Sequence, residues 1–245
     1  GYFMIRTIFA VLFAVVYLIC GIPVLGIEWI IGKFNKEKMD VSSLRMVQWA
    51  LGTIGKICGV KLTVIGKENI PKDQAVLYVC NHRSYFDIIL GYSIMPGLTG
   101  YISKDDLEKV PLLNIWMRRL YCLFLNRTDM KQGLKTILKA IEYIEQGVSI
   151  CIFPEGTRNR GEEGSLLEFK EGSFKIAEKT GCPVIPIAIS HTADVILNHM
   201  PKVTPCHVTI EYGEPIYPKE LPKEQKRALG AMTKGRIQEM LDQHE

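Results

Sequence analysis

The first twenty-odd positions carry almost no polar character. From Ile8 to Ile27 the chain reads IFAVLFAVVYLICGIPVLGI, with no charge. A run of about 20 apolar residues matches the thickness of a bilayer core. Arg6 precedes it, and Glu28, Lys33, Lys36 and Lys38 follow it. Gly21, Pro23 and Gly26 predict a kink or break in any helix drawn through the run. Three readings follow: a kinked transmembrane helix, a helix embedded in one leaflet, or a buried core helix. The length of the run and the lack of a small-x-small cleavage site argue against a removable signal peptide. Gly1 reads as a cloning remnant, with Met4 as a native start. Next comes helical periodicity over Asp40–Gly59, with Leu44, Val47, Leu51, Ile54 and Ile57 on one stripe. Ser42 or Ser43 is placed to cap its start and Gly59 to end it. This helix lies on a membrane surface or packs on the domain.

After Gly59 the texture changes to short apolar runs alternating with amphipathic ones. Strands are predicted over Val60–Ile65, Ala75–Cys80, Thr99–Ser103, Cys122–Asn126, Val148–Phe153, Val184–Ile189 and His207–Tyr212. Helices are predicted over Phe86–Ile94, Leu112–Leu120, Met130–Gln146, Glu168–Lys179 and Lys223–Gln243. Val148–Phe153 is nearly continuous in apolar residues, as a strand buried on both faces should be. The alternation predicts an α/β fold: a layered, largely parallel or mixed sheet flanked by helices, with the amino-terminal hydrophobic segment added. The expected division is a membrane-associated helical segment over residues 1–58 and an α/β domain over 59–245.

Composition changes this picture little. The 245 residues suit one domain with a small appendage. A net charge of +4 does not call for nucleic acid, and is compatible with an anionic membrane surface or substrate. The seven cysteines are widely spaced and include no CxxC pair, which removes the usual zinc and thiol-redox signatures. They fit a reducing, cytoplasm-facing setting.

Candidate chemistry sits at strand ends. Asn81-His82-Arg83-Ser84-Tyr85-Phe86-Asp87 follows the Ala75–Cys80 run directly, where open α/β sheets place their sites. On one helix His82 and Asp87 would point about 140° apart. With His82 in the turn and Asp87 in the helix's first turn, the carboxylate reaches back, fixes one tautomer and leaves the other nitrogen free to take a proton. The same Ser84-x-x-Asp87 spacing is also a capping box, in which Asp87 merely satisfies a helix terminus. Phe153-Pro154-Glu155-Gly156-Thr157-Arg158 follows a second buried strand. Gly156 lets backbone N–H groups approach an anion, and Arg158 offers a planar fork matched to phosphate. A plain surface turn with a solvated arginine is the alternative. Lys104 and Arg127 border strand ends, as phosphate partners or as ordinary surface cations. A GxSxG elbow is missing, which leaves a lipid serine hydrolase without a seat for its nucleophile. Gly52–Lys56 lacks P-loop spacing.

NHRSYFD, FPEGTR and Val184-Ile185-Pro186-Ile187, in this order, resemble the glycerolipid acyltransferase family, and within it the 1-acylglycerol-3-phosphate acyltransferases. The similarity covers roughly Val60 to Pro215. It implies a catalytic dyad of His82 and Asp87, supported by Asn81 and Ser84. It implies phosphate binding by Arg127, Lys104, Arg158, Glu155, Gly156 and Thr157, with Pro186 shaping the pocket wall. It further implies transfer of an acyl group from acyl-CoA or acyl carrier protein to the sn-2 hydroxyl of lysophosphatidic acid, at a cytoplasm-facing membrane and without a metal or cofactor. The partners implied are membrane lipids and these substrates, with no nucleic acid. Glycerol-3-phosphate or another lysolipid is the alternative acceptor, and a non-catalytic lipid-binding module the alternative class. Family members often carry glycines three and ten residues after the proline matching Pro111; this chain has Asn114 and Tyr121.

Overall fold

The structure is a computed structural model that describes residues 1–126 and 128–244, except for the side chains of residues 2 and 3. Three helices come first: α1 (Tyr2–Cys20), α2 (Ile22–Phe34) and α3 (Lys36–Ile57). The α/β alternation follows: β1 (Lys61–Ile65), β2 (Leu77–Cys80), α4 (Phe86–Ser93), β3 (Thr99–Lys104), α5 (Leu113–Arg119), β4 (Leu123–Leu125), α6 (Met130–Glu145) and β5 (Ser149–Ile152). The chain closes with α7 (Lys175–Thr180), β6 (Val184–Ser190), β7 (His207–Tyr212), α8 (Lys223–Arg227) and α9 (Leu229–Gln243).

The strands form one seven-stranded sheet in the order β1-β7-β6-β2-β5-β3-β4. Every neighbouring pair is parallel except β6 with β7, so the sheet is mixed, with a parallel centre. Alternation along each strand splits the core in two. Tyr78, Cys80, Cys151, Ile185 and Ile187 face α4 and the apolar stripe of α3. Leu77, Val79, Ile150, Ile152, Val184 and Ala188 face α6, α7 and α9. The result is three layers. Full burial of each large aliphatic or aromatic side chain contributes about 1.5–3 kcal/mol. The seven cysteines are unpaired. Burial holds the thiols of Cys58 and Cys122 in their neutral form, with pKa values pushed up to about 11.

Four elements differ from their sequence reading. The third helix starts at Lys36, where the Asn35 side chain accepts the Lys38 N–H at 3.1 Å. Ser42 and Ser43 therefore lie inside the helix, and both donate to the carboxylate of Glu28. Glu168–Lys179 is helical only from Glu171 onward, as a 3₁₀ turn followed by α7. Its start is drawn out because the Leu167 and Lys170 N–H groups bond to Glu155 and to the Pro154 carbonyl instead of continuing a helical ladder. The last helix is divided at Ala228. On α6 the sequence periodicity puts Ile137, Ile141 and Ile144 on one face, whereas the buried stripe is Thr136, Ala140 and Ile144, with Ile137 and Ile141 partly covered.

The break after Cys20 bends α1 against α2 by 44°, with Pro23 tolerated in the first turn of α2. Among the described residues no single helix is long and apolar enough to cross a membrane, but the bent pair passes that test together. Its outer face exposes Ile8, Phe9, Leu12, Ile19, Ile27 and Ile30. The inner face holds Glu28, 2 % exposed, which accepts from Ser43 at 3.0 Å and from Arg119 at 3.4 Å. Tyr121 donates to Asp40 at 2.7 Å. The bonds of Arg119 to Glu28 and of Tyr121 to Asp40 tie the helical segment to the α/β body.

Candidate active site

Parallel pairing brings the carboxyl ends of β2, β3, β5 and β6 to one edge of the sheet. His82 lies in the turn after β2, and Asp87 lies in the first turn of α4. The His82 Nδ1 is 2.8 Å from Asp87 Oδ2. The same oxygen accepts the backbone N–H groups of Arg83 at 2.6 Å and Ser84 at 2.9 Å. The other oxygen accepts the Thr192 hydroxyl. Asp87 thus contacts the imidazole and also satisfies two N–H groups of the turn that leads into α4. Asp87 is only 1 % exposed, and each of its carboxylate oxygens has a hydrogen-bond partner. With Nδ1 facing Asp87, Nε2 is the ring nitrogen of His82 left free of that carboxylate. The ring is 12 % exposed and stacks on Phe153, with centroids 4.3 Å apart.

His82 opens onto a cavity of about 610 Å³. Apolar walls come from Ile88, Ile102, Leu125, Leu134, Ile137 and Ile152. Lys104, Thr157 and Arg158 also line it, together with the backbone of Gly156. Arg158 lies with its guanidinium 4.9 Å from the Tyr85 ring centre, a cation–π contact that holds the fork beside the dyad. Gly156 has φ +80°, a conformation L side chains resist, and an added Cβ would meet Lys170 Cε at 2.6 Å. Arg127 lies outside the described residues.

Glu155 and Pro186 lie apart from their expected places, whereas the contacts of Asn81 and Ser84 fit supporting roles. Glu155 was expected at the phosphate. It is instead buried, accepting the His82 N–H at 2.8 Å and the Leu167 N–H at 2.9 Å. It ties the two motif turns together, and a carboxylate there would repel an anion. Burial raises its pKa above the usual carboxylate value, against the lowering effect of the two N–H donors. Asn81 clamps β2 to β6, donating to the Ile189 carbonyl at 2.9 Å and accepting the Ile189 N–H at 2.8 Å. Ser84 accepts the Phe86 N–H and donates to the Thr192 carbonyl. Pro186 was expected at the pocket wall. It sits inside β6 against Gly213, away from the cavity, because its alternate face points toward α9.

Further residues escaped the sequence reading. Thr192 is one; it follows β6 and stands over a hundred positions from Asp87 in the chain. Arg83 is buried in a cage of carbonyls from Asn159, Gly161 and Glu162, which fixes the loop after the second motif. Asn159 N–H donates to the His82 carbonyl at 2.8 Å. Lys131, Lys170 and Lys175 also line the cavity. The two glycine departures fall outside this machinery. Asn114 caps a neighbouring turn by donating to the Glu108 carbonyl. Tyr121 adopts φ +65°, where glycine is at ease, and is held there by Asp40 and by edge-on packing against Tyr143. Among the described residues no group of three or more His, Cys, Asp or Glu is placed to hold a metal ion.

The Acyltransferase family model matches residues 61–190. The chain is similar to the 1-acyl-sn-glycerol-3-phosphate acyltransferase of Borreliella burgdorferi, with 34% identity over 144 residues, 59% of this chain and 57% of that protein. The enzyme of the same name from Saccharomyces cerevisiae is 32% identical over 140 residues, 56% of this chain and 46% of that protein. The matched part thus spans about half the length of these curated relatives. The crystal structure of the 1-acyl-sn-glycerophosphate (LPA) acyltransferase PlsC from Thermotoga maritima matches with a TM-score of 0.82. That likeness comes at 29% identity and covers 98% of this chain and 94% of that one.

Proposed function

Because this chain belongs to the acyltransferase family, we propose that it moves a fatty acyl group from a thioester to the sn-2 hydroxyl of lysophosphatidic acid, giving phosphatidic acid. The observation that carries this reading is the His82–Asp87 pair at 2.8 Å, at the edge of a cavity that also holds Arg158 and Lys104. The acceptor phosphate rests on Arg158 and Lys104, with Arg127 as a further candidate. Its free hydroxyl points at His82 Nε2. The imidazole takes the proton as the oxygen attacks the thioester carbonyl, and Asp87 stabilises the imidazolium. The tetrahedral intermediate collapses, the C–S bond breaks, and the imidazolium returns the proton to the departing thiolate. The acyl donor is acyl-CoA or acyl carrier protein.

The apolar outer face of α1 and α2 supports a membrane-embedded position, since water-exposed apolar area on this scale is unfavourable. A lysolipid acceptor would then enter the cavity from the bilayer surface. The testing experiment is His82→Ala in lipid vesicles with a lysophosphatidic acid acceptor. The expected outcome is a loss of about 10²–10⁴-fold in kcat with the fold intact. Undiminished transfer by the folded variant would end the proposal.

A further inference from the structure

The cavity wall is more cationic than one acceptor phosphate requires. Among the described residues five basic side chains line it, namely Lys104, Lys131, Arg158, Lys170 and Lys175, and no carboxylate does. Among the described residues none of the five takes part in an ion pair. A phosphomonoester carries about −1.5 to −2 charges near neutral pH. Lys104 and Arg158 alone match that. Gathering three more cations around the same space is unfavourable unless a second anion fills it. The whole chain carries a net charge of only +4, so this concentration is local.

The surplus charge is also grouped by layer. Lys104 ends strand β3 and Arg158 lies in the turn after β5, at the sheet edge itself. Lys131 is in the first turn of α6, Lys175 begins α7, and Lys170 directly precedes the 3₁₀ turn before it. These elements belong to the layer that covers one face of the sheet, while the apolar pair α1–α2 is joined through α3 to the other face. Lys170 is additionally built in. Its N–H is held by the Pro154 carbonyl at 2.9 Å, and its side chain packs over the bare Cα of Gly156. The positive φ and the missing Cβ at Gly156 make room for that ammonium.

We propose that Lys131, Lys170 and Lys175 form a second anion subsite, which receives the phosphate of the acyl donor's phosphopantetheine arm. This rests on the acyl-transfer reading above. The chemistry is shared by coenzyme A thioesters and by a carrier protein bearing the same arm, and coenzyme A adds nucleotide phosphates to it. Apolar residues beside the lysines, Leu125, Leu134 and Ile137, continue the wall past the reacting centre. A donor would thus meet cations at its phosphates and apolar surface at its chain.

The test uses the full chain in vesicles, with a Lys170→Ala/Lys175→Ala variant and a Lys131→Ala variant. Binding of coenzyme A by titration calorimetry is read separately from turnover. The expected result is weaker coenzyme A binding by about tenfold or more for the double variant, the loss expected from removing a charge-assisted contact. Donor KM rises in step, acceptor KM stays within about twofold, and raising ionic strength weakens wild-type donor binding more than that of the variant. An acyl thioester of pantetheine, which has no phosphate, is indifferent to the substitutions. Equal losses with acyl-CoA and acyl carrier protein assign the subsite to the shared arm; a loss confined to acyl-CoA assigns it to the nucleotide phosphates. Unchanged coenzyme A affinity in a folded variant, or a rise in acceptor KM instead, overturns the proposal. Failure of the acyl-transfer reading itself would show differently, as undiminished turnover by His82→Ala.

Discussion

The two walls of the cavity are built on opposite plans. On the dyad side, the two buried carboxylates are tightly bonded: Asp87 contacts His82 and accepts from Arg83, Ser84 and Thr192, and Glu155 accepts from His82 and Leu167. On the α6–α7 side, the lysines stand without ion pairs among the described residues. The difference separates chemistry from capture. A general base must be held within a few tenths of an ångström before the substrate arrives, and buried hydrogen bonds do that. An anion-binding wall gains from flexible ammonium groups that order only around their ligand.

The largest effect should come from breaking the dyad wall at its centre. Asp87→Asn keeps the shape but removes the charge that stabilises the imidazolium. A fall in kcat of roughly 10²–10⁴-fold is expected, with both KM values little changed, by steady-state assay. A KM change with kcat intact would place Asp87 in binding instead. Next is Thr192→Val, which removes one donor from Asp87 without changing volume. A loss of about tenfold in kcat and about 1.5–3 kcal/mol of unfolding free energy is expected. Thr192→Ser should restore both, and its failure to do so would make Thr192 a packing residue only. Arg158→Ala should raise acceptor KM by about tenfold. A selective rise in donor KM would reverse the assignment of the two anion positions.

Glu155 sharpens the comparison through pH. Burial raises its pKa in the folded protein above the usual 4.5. The native state therefore holds that proton more tightly than the unfolded chain does. Its contribution is unchanging below the usual value and turns unfavourable as pH rises from there through the raised one. Glu155→Gln should flatten the fall of Tm with pH across that window, at the cost of one hydrogen bond, about 1 kcal/mol. A persistent slope would assign it to another group, such as Asp40, whose pKa burial also raises. The smallest effect belongs to the open wall. Lys170→Ala or Lys175→Ala should shift unfolding free energy by less than about 0.5 kcal/mol. A larger loss would show that wall to be structural.

Legibility followed the same divide. The strand-end position of His82 and the reach of Asp87 were readable because a separation of five positions rules out a shared helix face and leaves a turn-to-helix geometry. Ser84-x-x-Asp87 was ambiguous in sequence because one carboxylate contacts both the imidazole and the N–H groups of the turn. Glu155 was misassigned because a motif names residues together without saying which way each points. The stretch before α7 was read as helix because its periodicity is sound, and only contact with Pro154 and Glu155 draws it out. Thr192 and the three lysines left no local signal at all. Their proximity to the dyad is created by the order of strands, which no window of sequence contains.

The pairing of β2 with β5 has one more implication. Val79 lies opposite Ile152, so His82 emerges three residues beyond one strand position and Phe153 one residue beyond its neighbour. The stack of imidazole on phenyl ring is therefore an alignment inherited from the sheet's hydrogen-bond ladder. Slippage by a single step would turn Phe153 to the opposite layer and leave the imidazole without its backing. Damage in the middle of these two strands should consequently surface first as lost catalytic timing, well before the protein melts.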